Sequence, residues 1–174
     1  MEERFSGPVS GSGAFELGPK PGVPGALRAS FLLWLIAIGA GVFETGLAVI
    51  DALSGDSGLG MGVIVGVGVR LIVFGAAVYV ASRMRLGKNW ARITLAIVLG
   101  VLGTLSLVVS PISWLAGGHS IVGFLAGADT MTLLFASSRI VHTAAVLAAT
   151  AFMFLPSANA YFRYARSATG RRQG

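Results

Sequence analysis

Four ionisable residues, Glu44, Arg70, Arg139 and His142, lie inside stretches of sequence that are otherwise apolar. Their types define the chemistry on offer. Glu44 and His142 can carry a proton, either arginine can hold an anion, and Glu44 can neutralise one or both arginines. A charge at the centre of a helix in hydrocarbon costs about 2.5–3.5 kcal/mol on insertion scales, so each needs a partner or a purpose. Arg139 and His142 are three residues apart and share a helical face. Gly62, Gly66 and Arg70 recur at four-residue spacing, and Glu44 and Thr45 fall within Ala37, Gly41 and Ala48, so both sets of charges sit on faces of small residues suited to close helix contact. Two arginines against one glutamate leave a positive charge over. Backbone carbonyls, Thr45, Ser137, Ser138, water in an outward-facing cavity or an anionic ligand are the candidates to meet it.

The elements that carry these residues are membrane-length. The chain has 174 residues, of which 55% are hydrophobic and only 11% charged, with a mean hydropathy of +0.81; soluble domains carry roughly a quarter charged residues. Spans of about 20 residues are expected at 30–50, 59–81, 90–110 and 132–155, the third capped by Asn89 and ended by Pro111, the fourth stopped or kinked by Pro156. The fold class is therefore all-α, an integral membrane antiparallel four-helix bundle spanning residues 28–156. Residues 1–27, rich in Gly, Pro and Ser, read as a disordered cytoplasmic tail, and residues 157–174 as a basic cytoplasmic C-terminal tail. Residues 112–127 are moderately apolar but broken by glycines. They read as an outer loop at the interface or re-entering the membrane, with Trp114 and Phe124 as anchors and His119 solvent-exposed.

Charge sets the orientation. Arg4, Lys20 and Arg28 precede span one, Arg83, Arg85, Lys88 and Arg92 follow span two, and Arg163, Arg166, Arg171 and Arg172 follow span four. The remaining two loops hold Asp51, Asp56 and Asp129 and no Lys or Arg. By the positive-inside rule both termini are cytoplasmic and the span count is even. A helix rise of about 1.5 Å per residue then puts Glu44 roughly 9 Å inside the outer boundary, Arg139 and His142 roughly 10 and 15 Å, and Arg70 roughly 16 Å. All four form one polar cluster in the outer half. At the opposite face Trp90, Arg92, Tyr161, Phe162 and Arg163 have the aromatic and basic character of interface anchors, the last three in a short amphipathic tail.

Much chemistry is excluded. The chain has no cysteine, no HExxH pair, no GxSxG elbow, no Walker loop and no carboxylate pair, and Gly66 and Gly68 lack the strand-turn-helix setting of a dinucleotide loop. No enzyme, metal or cofactor is expected. The formal charge of +6 reflects topology, so nucleic acid is not an expected partner. The expected partners are the lipid bilayer, anionic lipids at the cytoplasmic face, and a second copy or another membrane protein.

GVPGALRASFLLWL, RMRLGKNWARITL and FMFLPSANAYFRYAR, spread over residues 20 to 166, resemble an uncharacterised actinobacterial family of small four-span integral membrane proteins. The resemblance implies a four-span inner-membrane bundle. It implies no activity or catalytic residue, and Glu44, Arg70 and Arg139 are not part of the family's signature. A structural or accessory interaction protein of the cell membrane is the expected function. The alternative is a small transporter or channel subunit that uses the outer-half cluster.

Overall fold

In hydrocarbon each backbone N–H and C=O must be satisfied within its own segment or a closed sheet, and long apolar runs with short loops meet that demand as helices. The computed structural model describes residues 22–55 and 60–170, and their regular structure is entirely helical. The elements are α1 (Gly25–Ser54), α2 (Met61–Arg85), α3 (Asn89–Ala116), α4 (Ile121–Gly127), α5 (Thr130–Met153) and α6 (Pro156–Gly170). Helices α1, α2, α3 and α5 are long and apolar enough to cross a membrane, which makes the chain a multi-pass membrane protein. Residues 1–21 of the expected tail lie outside the described residues; helix begins at Gly25.

Several boundaries differ from those expected, each for a physical reason. Asn89 is the first helical residue of α3, not its cap; Lys88 occupies the cap and no side chain bonds there. Pro111 sits inside α3, which continues to Ala116. The ring has no N–H to return to Leu107, but the following residues keep their own ladder. Between Leu95 and Gly103 α3 widens into π-helical turns. Residues 112–127 are not simply a loop: they hold the end of α3 and the short α4, capped by Ser120 Oγ, which accepts from the Gly123 N–H at 3.0 Å. Trp114 there stacks on His119 and meets Phe124 edge-on.

Proline 156 also does more than stop a helix. After α5 ends at Met153, Pro156 opens α6, where a missing N–H costs nothing. Residues 156–170 are thus not a free tail but a helix folded onto the bundle. Tyr161 and Phe162 are buried, and the Tyr161 hydroxyl donates to the Arg85 carbonyl at 3.3 Å.

The buried core is one-sided. It gathers Leu27 and Trp34 of α1, Ala81 and Met84 of α2, Leu95 of α3, Met153 of α5 and Phe162 of α6. All lie toward the basic end, where the described chain begins and ends. Toward the far end no residue of Thr104–Ala116 or of α4 is buried, and α2 buries only Ala77, Ala81 and Met84. Helices α2 and α3 are thus knit at one end and open at the other, while α1 and α5 still bury Thr45, Leu47 and Ser138 further out.

The turn joining α2 to α3 depends on Gly87. Its φ of +79° closes a Schellman cap in which Lys88 N–H donates to Arg83 O at 3.2 Å and Gly87 N–H to Met84 O at 2.9 Å. A Cβ at that position would lie 2.9 Å from the Cβ of Ala165 in α6. Gly87→Ala is therefore expected to lower stability by more than the ~1–2 kcal/mol of the left-handed conformation alone. Adding Ala165→Gly should recover only the contact part, read as thermal midpoints in detergent.

Asp129 caps α5, accepting the Thr132 N–H at 2.8 Å. These hydrogen bonds hold its carboxyl below the usual range. A depressed folded value means that the cap's contribution is complete above the unfolded pKa of about 3.9 and lost as pH falls through the folded one. The thermal midpoint of the protein should carry an acid-side decline in that window. In Asp129→Asn, which caps without titrating, that component should vanish.

Candidate functional site

The seam between α1 and α5 carries most of the intramembrane polar groups. On α1, Leu27, Ser30, Trp34, Ala37, Gly41 and Glu44 follow the three-then-four spacing of one face, and on α5 Ser138, His142, Ala145, Ala149 and Met153 do the same. Small side chains let the backbones approach. The polar side chains then reach across to the opposing backbone: Ser30 Oγ donates to Ala149 O at 2.8 Å, Ser138 Oγ to Ala40 O at 3.1 Å, and His142 Nδ1 to Ala37 O at 2.8 Å. A carbonyl only accepts, so Nδ1 is the donor in this contact.

One turn further toward the far end, Arg139 Nε stands 3.8 Å from Glu44 Oε1. That distance is an ion pair and not a hydrogen bond, and Glu44 Oε1 is buried with no hydrogen-bond partner. The Glu44 side chain is 17% exposed and that of Arg139 47%. Arg139 therefore reaches in from an open flank, while the glutamate sits inside.

Arg70 is placed differently. It is exposed and makes no ion pair among the described residues. Of the two arginines that Glu44 was expected to neutralise, only Arg139 is in range. Among the described residues an added Cβ at Gly62 or Gly66 would meet nothing within 4 Å, so these two positions make no close helix contact. Yet Arg70 lies in line with Phe74, Ala77, Ala81 and Met84, the residues by which α2 packs. Phe74 approaches α1 so closely that a Cβ on Gly41 would lie 2.9 Å from its ring. One turn beyond that contact come Arg70 on α2 and Glu44 on α1, at similar depth in the open half. Beyond Phe74 toward the basic end, Trp34, Ala37, Ala81 and Met84 are buried together as an apolar plug.

At the basic end, Trp90 and Arg163 are exposed, whereas Arg92, Tyr161 and Phe162 are buried within the protein. Arg92 leaves 8% of its surface exposed. Its guanidinium stacks 4.1 Å from the Phe154 ring centroid and 5.0 Å from that of Phe162, and Nη2 donates to Asn159 Oδ1. Arg92, Arg163 and Arg166 line one cavity of about 320 Å³. The sequence signal for it was available: Asn159, Arg163 and Arg166 recur at helical spacing behind Pro156. Reading that run as an amphipathic tail along the membrane interface hides it. No group of three or more His, Asp or Glu that could hold a metal occurs among the described residues.

Charge-swap variants test the pairing. Glu44→Gln should destabilise the protein by about 1–3 kcal/mol, below the range for a wholly buried pair because Arg139 is half exposed. Glu44→Arg with Arg139→Glu should restore part of the loss in a thermal assay of purified protein. Glu44→Arg with Arg70→Glu should not. Equal rescue by both would contradict the arrangement.

No family model, curated protein or solved structure matches the chain. Its own geometry characterises it as a multi-pass helical membrane protein with one packed end and one open, polar-lined end.

Proposed function

We propose that the chain is a structural or accessory interaction protein of the cell membrane, a member of the small four-span family its motifs resemble, with both termini cytoplasmic. The observation that carries this reading is Arg70, exposed on a spanning helix beside glycines at which an added Cβ would meet nothing within 4 Å among the described residues. An arginine at that depth is stable only with a counter-charge, polar backbone or water. Gly62 and Gly66 leave room for another helix to come close enough to supply one. A partner span, from a second copy or another membrane protein, completes the open half. The reading includes no enzymatic step, cofactor or nucleic acid.

The runner-up is a transporter or channel subunit, favoured by the Glu44, Arg139 and His142 line and by the unpartnered Glu44 Oε1. The apolar plug inward of Phe74 weighs against a route through a single copy.

Photo-crosslinkers at Gly66 and Arg70 in native membranes separate the two. Interaction predicts a discrete protein adduct at both positions and none from Ile97, on the exposed face of α3. Adducts with lipid alone, together with proton or anion flux in proteoliposomes that Glu44→Gln abolishes, would overturn it.

A further inference from the structure

We infer that the cavity between the start of α3 and α6 is a binding site for a phosphate-bearing anion, seated against Arg92, Arg163 and Arg166. Three arginines face a volume of about 320 Å³ whose lining holds no carboxylate. The acidic side chains of the described residues, Glu44, Asp51 and Asp129, all lie toward the far end. Among the described residues this concentration of charge has no acidic partner.

Arg92 distinguishes a built site from a basic surface. The residue is 8% exposed, its guanidinium is held in orientation by two aromatic rings and by Asn159, and its buried Nε makes no hydrogen bond. Asn159 is fixed in turn, its Nδ2 donating to Phe154 O at 2.9 Å and its backbone N–H to Leu155 O at 2.9 Å. Such a chain of constraints spends little entropy on binding, and a planar guanidinium fork matches phosphate oxygens. Asn89 lines the same cavity at the N-terminus of a 28-residue helix, whose dipole adds positive potential. Arg163 and Arg166, three apart on α6, complete the cradle from the opposite side.

The walls favour a lipid as the source of that phosphate. Ile93 and Phe154, 47% and 45% exposed, flank the arginines and continue onto the apolar surface of the spanning helices. A phospholipid seated headgroup-first lays its acyl chains along them. Arginine pockets between spanning helices at the anionic leaflet are suited to such headgroups.

Full-length protein in detergent provides the test. Phosphatidylglycerol should raise the thermal midpoint and remain bound in native mass spectra, where phosphatidylcholine should not. Arg163→Gln with Arg166→Gln should weaken the effect roughly tenfold, and Arg92→Lys should weaken it with charge unchanged. Arg28→Gln with Lys88→Gln removes the same charge from exposed positions outside the cavity and should leave binding intact. Inorganic phosphate added alone distinguishes the sources: equal stabilisation assigns the site to free phosphate, a lesser one to the lipid headgroup. Equal weakening by the control pair, or no preference for phosphatidylglycerol over phosphatidylcholine in the unaltered protein, would overturn the assignment.

Discussion

The fold depends on the polar seam between α1 and α5. Lipid tails are as apolar as leucine side chains, so burial of apolar surface does little to draw spanning helices together, and close packing and interhelical hydrogen bonds take over. Ser30, Ser138 and His142 each donate to a carbonyl of the opposing helix. Those carbonyls already serve their own helix, and the second lone pair is what makes the bond possible without breaking the ladder. Small residues keep the two backbones near enough for such short side chains to reach. Glu44 and Arg139 extend the seam outward as a looser contact of 3.8 Å.

The other helices attach to this pair unevenly. Helix α2 is held near its end by Ala77, Ala81 and Met84, and α3 by Ala91, Arg92 and Leu95. In the widened turns of α3, Gly100 passes so near α5 that a Cβ would lie 3.0 Å from Thr150 Oγ1. Helix α6 closes the basic end across the α2–α3 turn, with Tyr161 on Arg85 and Phe162 against Arg92. The result is a rigid base supporting a half in which Arg70, Glu44 and Arg139 share a depth but not a common bond.

The spans are legible in the sequence because apolar length and the distribution of Lys and Arg report directly on the bilayer, a solvent with sharp edges. The pairing of Glu44 with Arg139 is legible as one of two options, since depth can be counted along a helix but rotation about its axis cannot. Arg70 shows the limit: it lies in line with the packing face, yet it is exposed and makes no ion pair among the described residues. Tyr161 and Phe162 mislead for another reason. An amphipathic run of aromatic and basic residues fits a membrane surface and a protein surface equally well, and only the third dimension reveals that Arg92 waits beneath it. Pro111 misleads because a proline removes only its own N–H, here the bond to the Leu107 carbonyl, and the turns that follow it can continue the helix.

The seam joins the first of the four spanning helices described to the fourth. During synthesis the earlier segments leave the ribosome first, so α1 enters the bilayer while its partner has yet to be made. Glu44 must then wait without Arg139, and Ala37 and Ala40 without the donors that later cover their carbonyls, until α5 has emerged. Contacts so distant along the chain are slow to form. The order of insertion thus assigns α2 and α3, loosely held in the finished protein, a temporary duty: they are the company α1 keeps before α5 arrives.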